Sequence, residues 1–345
     1  MVAAVVAGIG SAVPTEVSQE DLWAGFFTEQ YRGDPLVERI WRRAGVERRH
    51  GVAVPWKEDV RHWGTAARIE RFVEEAVPLG RDALRACLDD AGLRPSEVDA
   101  LTVVSCTGYA TPGLDILLAR ELELGQDIQR LHIGHMGCYA ALPALGTLAD
   151  AATARGQTGL LLCVELCSLH IQDTSHEIDQ VIAHSLFADA AAAVAVRPGG
   201  RGLQIIDVAA RTDPDSAGLM TWDVTDRGFR MGLGRDVPAV LERHVGSLVR
   251  SLLARHGLSP DLVRGWAIHP GGPRILEAVA TPLGLAEDDL EPSRSVLRDY
   301  GNCSSPTVLL VVQRLEERRP WREGDHVVCI AFGPGLTLYA ALLRA

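Results

Sequence analysis

The stretch "RLHIGHMGCYAALPALGTLADAATAR", residues 130–155, holds the key to the chain. A short apolar run, Leu131 to Ile133, reads as a strand, and Gly134 and Gly137 punctuate the turn after it. From 139 to 155 alanine and leucine recur at helical spacing, with Pro143 making the first turns irregular. Cys138 therefore lies where a strand turns into a helix. The positive end of a helix dipole favours a thiolate there, as a nucleophile requires and a structural cysteine does not.

Working outward, apolar runs and helical segments alternate. "VAAVVAGIG", "ALTVVSCTG", "GLLLCVEL" and "AAAAVAVRP" read as strands of a first half, with helices at 79–92 and 139–155. "LQIIDVAAR" and "GWAIHPGG" read as strands of a second half, with helices at 237–256 and 273–283. "HVVCIAFGPGLTLYAALLRA" reads as a closing hairpin. Such alternation implies an α/β protein with its sheets covered by helices. "VRPGGRGLQ", 196–204, divides the chain into halves 1–200 and 201–345. The charged segment 26–75 is expected to lie over the surface of the core.

Bulk composition excludes some functions. The 345 residues are 47% hydrophobic, enough for a large core. A formal net charge of −11 argues against nucleic acid as the main partner. No apolar run reaches the length of a membrane span, about 18 residues, and the start lacks the basic region of a signal peptide. A cytoplasmic chain follows as the expectation. Its seven cysteines, an odd set in apolar segments, read as reduced thiols. A single lysine, Lys57, among many arginines and alanines matches the bias of a GC-rich bacterial genome.

Two further signals join Cys138. In "WAIHPGGPRIL", 266–276, His269 ends a strand beside a glycine turn that Pro273 carries into a helix, a position from which it can face a cleft. In "DYGNCSSPTVLLVVQRLEE", 299–317, Asn302 ends a turn before a long helix, which it could merely cap. Together they supply a nucleophile, a base or donor, and an oxyanion donor. Metal binding by His132, His135 and Cys138, or by Cys163, Cys167 and His170, is disfavoured, since neither set has the paired spacing of structural zinc sites. Glu165 and Asp189 read as hydrogen-bonding core carboxylates.

These strings, G-C in its turn, H-P-G-G-P, Y-G-N-x-S-S and "AFGPGLT" at 331–337, occur in the order that resembles the type III polyketide synthases. This is the chalcone synthase-like group of the thiolase superfamily, and "ELCSL" resembles its bacterial branch. The resemblance implies a thiolase-like fold of two similar βαβαβαββ halves, the first carrying Cys138 and the second His269 and Asn302. It implies that Cys138 accepts a starter acyl group from an acyl-CoA and that His269 and Asn302 hold the malonyl-CoA thioester carbonyl during decarboxylation. It also implies that His269 keeps Cys138 as thiolate through an ion pair, and that Phe187 is the gatekeeper beside the malonyl group.

By the same resemblance, Cys106, Thr107, Cys167, His170, Met231, Trp222 and Ser304 border the substrate, and Thr111 reaches into a partner's cavity in a homodimer. Trp222 stands where plant enzymes carry a small residue, so a smaller or redirected cavity is expected. Arg39 and Arg43, one helical turn apart, fall where the family meets coenzyme A phosphates. No metal or dissociable cofactor is implied. The expected product is a pyrone, resorcinol or related polyketide. Two alternatives stand beside this reading: a ketoacyl synthase III-like enzyme or acyltransferase using carrier-protein substrates, and a catalytically silent partner of another synthase.

Overall fold

The computed structural model describes residues 2–173 and 177–345. In chain order the N-terminal part contains β1 (Ala4–Ala12), β2 (Thr15–Ser18), α1 (Gln19–Leu22), α2 (Thr28–Gln30), α3 (Pro35–Arg42) and β3 (Arg48–Gly51). The long helix α4 (Thr65–Ala91) follows, then β4 (Ala100–Ser105), α5 (Leu114–Glu121), β5 (Gln129–Gly134), α6 (Ala141–Arg155), β6 (Gly159–Leu166), α7 (Ile178–Leu186) and β7 (Asp189–Pro198). The C-terminal part contains β8 (Leu203–Thr212), β9 (Met220–Thr225), β10 (Gly228–Leu233), α8 (Val237–Ala254) and β11 (Val263–Ile268). It ends with α9 (Pro273–Leu283), α10 (Glu287–Tyr300), α11 (Thr307–Arg318), β12 (His326–Gly333) and β13 (Thr337–Arg344).

Nine strands join in the order β11-β12-β13-β8-β1-β7-β6-β4-β5, with β1 linking the two groups through short antiparallel pairing to β8. Strand periodicity explains the layers. On β6, Leu160, Leu162 and Val164 face an outer layer with α4 and α5, while Leu161 and Cys163 face a central layer. The central layer consists of α6 and α11, whose Leu142, Leu145, Val308 and Val311 pack with residues of both strand groups. Beyond the second group, α8 and α9 pack on Trp266, Ile268, Val328 and Ile330. Each fully buried Leu or Ile stabilises by about 1.5–3 kcal/mol, and these are concentrated where the layers meet. On β1, a Cβ at Gly10 would lie 2.2 Å from the Cys87 backbone nitrogen, so only glycine lets α4 approach so closely. This helix–sheet–helix–sheet–helix layering is the thiolase-like arrangement, with five strands in the first group and four in the second.

Two expectations need correction. The helix expected at 79–92 begins at Thr65 and carries Pro78 in its interior. Its packing against the first strand group outweighs the lost backbone hydrogen bond. The segment 26–75 is not simply a surface cover. Phe26, Phe27, Tyr31, Val37 and Trp41 form a buried aromatic cluster with Leu22 and Trp23, and Phe72 lies in the core beneath α4.

Candidate active site

Cys138 sits on a 3-10 turn, Gly137–Tyr139, just before α6 and is 7% exposed. Two glycine strings meet there. Gly137 has φ +77°, and a Cβ on it would come within 2.7 Å of Pro334 Cδ. A Cβ on Gly333 would lie 2.9 Å from the Tyr139 ring and 3.4 Å from the Cys138 nitrogen. The Gly333–Pro334–Gly335 loop therefore braces the nucleophile turn, which is why G-C and F-G-P-G occur in one sequence.

His269 follows β11, and its nitrogen donates to Ile330 O at 2.8 Å. Gly272, at φ +148°, turns the chain so that Pro273 can begin α9. The His269 imidazole is 1% exposed and meets the edge of Phe332 at 5.4 Å. Among the described residues neither of its ring nitrogens has a hydrogen-bond partner. Asn302 is held by its backbone, donating to Leu186 O at 2.8 Å and accepting from Ala188 N at 3.0 Å. Its Oδ1 accepts from Ser304 N at 2.9 Å, which leaves the amide NH2 as its available donor. Asn302 does not cap the following helix, whose N-cap is Pro306.

One chamber of about 770 Å3 is lined by Cys138, His269, Asn302, Phe187 and Met231, and also by Arg39 and Arg43. Arg42, between these two arginines in sequence, turns instead to Glu20 and Glu38. Sequence reasoning missed two further cations on the same chamber, Arg235 and Arg274. Arg274 directly follows H-P-G-G-P, a signal available in the sequence. A second chamber of about 50 Å3 shares Phe187 and Met231 with the first, so these two side chains form the partition.

Cys167, His170 and Trp222 line this inner chamber. His170 Nδ1 accepts from Phe229 N at 3.0 Å, so its Nε2 donates to Thr107 O at 2.6 Å. Burial pushes this imidazole down to about 4, and it serves as a neutral strut in the wall. The Trp222 indole donates to Cys106 O at 2.6 Å and stands edge-on to His170 and Phe229.

Other expectations fall elsewhere. Cys106 and Thr107 line neither chamber, because Glu165 draws them into the core. That fully buried carboxylate accepts from Cys106 N at 3.0 Å, Cys106 Sγ at 3.4 Å, Thr107 Oγ1 at 2.8 Å and Ser305 Oγ at 2.6 Å. Burial raises its pKa against these hydrogen bonds. Asp189 is likewise buried and bonded, to Val52 N and to Ser168 N and Oγ, so both acids act as the expected core carboxylates. Ser304 lines neither chamber, yet its Oγ accepts from the Cys138 thiol at 3.5 Å. Thr111 is exposed and borders neither chamber of its own chain.

Among the described residues neither ring nitrogen of His269 hydrogen-bonds Cys138 in this geometry. Burial pushes the Cys138 thiol up to about 12 and the His269 imidazole down to about 3. Among the described residues Ser304 is the neighbour whose side chain eases the thiol toward ionisation, while burial disfavours the charged form of both groups. Among the described residues no group of three or more His, Cys, Asp or Glu is placed to hold a metal ion.

Residues 2–199 match the family described as chalcone and stilbene synthases, N-terminal domain, and residues 204–345 match its C-terminal domain. The 1,3,6,8-tetrahydroxynaphthalene synthase of Streptomyces peucetius subsp. caesius is 33% identical over 98% of this chain and 92% of its own. The 3,5-dihydroxyphenylacetyl-CoA synthase of Streptomyces toyocaensis is also 33% identical, over 98% of this chain and 89% of its own. The crystal structure of PKS-I from the brown alga Ectocarpus siliculosus superposes with a TM-score of 0.92 at 30% identity, covering 100% of this chain and 98% of that one. The chain belongs to the chalcone and stilbene synthase family and is a type III polyketide synthase, an acyl-transferring condensing enzyme of the bacterial kind.

Proposed function

We propose that Cys138 takes a starter acyl group from an acyl-CoA and that the chain extends it with malonyl-CoA by decarboxylative condensation. The observation that carries this reading is the single chamber lined by Cys138, His269 and Asn302 and also by Arg39, Arg43, Arg235 and Arg274. Arginine pairs well with phosphate, so the four cations suit the coenzyme A pyrophosphate and 3′-phosphate. His269, with both nitrogens unpartnered, removes the thiol proton as the starter carbonyl is attacked. In extension, an imidazole N–H and the Asn302 NH2 donate to the malonyl thioester oxygen. Charge builds on that oxygen as carbon dioxide leaves, and the donors bind this transition state more strongly than the ground state. Phe187 covers the reacting carbon and keeps water from the enolate.

Several features complete the proposal. The work is done by side chains without a metal or other resident cofactor, and residues 1–200 and 201–345 act as two halves meeting at the site. A homodimer is supported by the open sheet edge at β5, which carries exposed Leu131, and by exposed Tyr109, Thr111 and Ile116 in the segment that follows β4. Among the described residues no helix is long and apolar enough to cross a membrane, and we place the enzyme in the cytoplasm. Trp222 and the 50 Å3 inner chamber favour short starters and few extensions, ending in a pyrone, resorcinol or related ring.

The test incubates the protein and a Cys138→Ala variant with malonyl-CoA and short, long and aromatic acyl-CoA starters, with products read by mass spectrometry. Products spaced by two-carbon units, made only with intact Cys138, are expected. If the intact protein releases neither coenzyme A nor carbon dioxide with any starter, the free-CoA reading fails and carrier-protein substrates or a silent-partner role take its place.

A further inference from the structure

We infer that Arg49, which borders the inner chamber but not the Cys138 chamber, is the positioning residue for the extension half of the reaction, fixing Phe187 and Asn302 through their backbone. This rests on the condensing reading above and names a part of the machinery that the sequence strings do not reveal.

Arg49 lies at the second residue of β3 and is 7% exposed. Among the described residues no carboxylate forms an ion pair with it; backbone carbonyls take most of its donors. Nη1 donates to His184 O and to Phe187 O, each at 2.8 Å, and Nη2 donates to Ser185 O at 2.7 Å. These carbonyls belong to the last turn of α7 and the residue that ends it. Such groups have no partner within a helix, and a cation there also meets the negative end of the dipole. Nη2 also donates to Gln19 Oε1, while Gln19 Nε2 donates to Ser185 O at 2.9 Å. The Trp41 ring covers the guanidinium at 5.2 Å, and its Nε1 donates to Gln19 O.

What this clamp holds is catalytically specific. Phe187 is the partition between the two chambers, and its carbonyl is an Arg49 acceptor. The residues on either side, Leu186 and Ala188, form the two backbone hydrogen bonds that fix Asn302. Gly301, at φ +75°, packs into this join, where a Cβ would lie 2.9 Å from Leu186 O and 3.5 Å from Arg49 Cβ. A shift of the 184–188 segment therefore moves the aromatic cover and the amide donor together. Cys138 is braced from elsewhere, by Pro334 and Gly333, and His269 hangs from β11 and β12. Arg49 thus bears directly on the residues of extension and reaches Cys138 only at one remove, through Asn302 and Ser304. Planar bidentate reach is essential to the clamp, and lysine does not reproduce it.

The test separates the two half-reactions. Arg49→Met and Arg49→Lys proteins are mixed with a starter acyl-CoA alone, and coenzyme A released in the first turnover, with the acyl mass on Cys138, reports loading. Carbon dioxide release and product formation with malonyl-CoA report extension. Loading should stay within about threefold of the parent, while extension falls about tenfold or more through kcat, as expected when a transition-state contact is displaced. Arg49→Lys should fall with Arg49→Met rather than rescue it. Gln19→Met, which leaves the arginine but removes its neighbour, should fall in the same direction by less.

Loss of loading and extension by the same factor, or no loss of either, overturns the assignment. So would insolubility of both Arg49 variants, since the residue's role would then be global. A parent protein that neither loads nor extends fails the condensing reading itself, a result distinct from any of these.

Discussion

At Cys138 and His269 burial dominates, pushing the thiol up to about 12 and the imidazole down to about 3, and the unpartnered imidazole on the same chamber is the base that can take the proton. His269→Ala should therefore slow alkylation of Cys138 by iodoacetamide at pH 7 by about tenfold or more, the scale of a lost general base. An unchanged rate, measured by intact mass against time, would remove His269 from that role. Trp222 makes a second prediction at this scale. Replacing it with glycine removes the indole that donates to Cys106 O and packs on His170 and Phe229. Trp222→Gly should shift products upward by at least one two-carbon unit or admit a bulkier starter. An identical product set would show that the inner chamber does not limit chain length. Residue types alone made Cys138, His269 and Asn302 legible, because few other roles use those three in those turns. They could not show that Glu165 draws Cys106 and Thr107 away from the cavity, since a buried carboxylate's partners depend on three-dimensional proximity. Nor could they show that burial works against the charged forms of both Cys138 and His269, which depends on how the chain closes around them.

Among the elements, the nucleophile turn is the most constrained. Gly137→Ala would force a side chain into φ +77° and against Pro334, at a cost of about 1–3 kcal/mol for the backbone conformation alone. The expected result is a lowered unfolding midpoint together with loss of loading. Full loading in a protein of unchanged stability would mean that the bracing loop yields without consequence. Strands were legible because they are short apolar runs bounded by glycine and proline, as in β6 and β12. Helix α4 was only half legible, because Pro78 reads as a boundary and the tertiary contacts that override it come from β1 and β6. The cluster of Trp23, Phe26, Phe27, Tyr31 and Trp41 was hidden for a different reason. Its aromatics are spread over short helical turns and separated by charged residues, so no single period marks them.

For the molecule as a whole, buried histidines set the response to acid. Burial lowers His170 to about 4 and both His184 and His269 to about 3, from an ordinary value of 6.5. Between those values the unfolded chain binds more protons than the folded one, so this stability is present above pH 6.5 and is lost as pH falls toward the folded values. Asp189, raised to about 6 by burial, works in the opposite sense between 3.8 and 6, and Glu165, also raised by burial, works in that same sense, so two acids oppose three histidines. The urea midpoint should therefore drop between pH 7 and pH 5, with each histidine contributing about 2 kcal/mol over that interval. His184→Asn should flatten the slope, and an unaltered slope would show that His184 is not among the groups responsible. The bracing of Cys138 by residues 333–335 has another outcome, felt while the protein is being made. The nucleophile is translated well before the loop that seats it, which joins β12 to β13 nearly two hundred residues later. A nascent chain can hold a cysteine but not a reactive site, so acyl thioesters in the cell meet no half-built enzyme that could be acylated and trapped before folding ends.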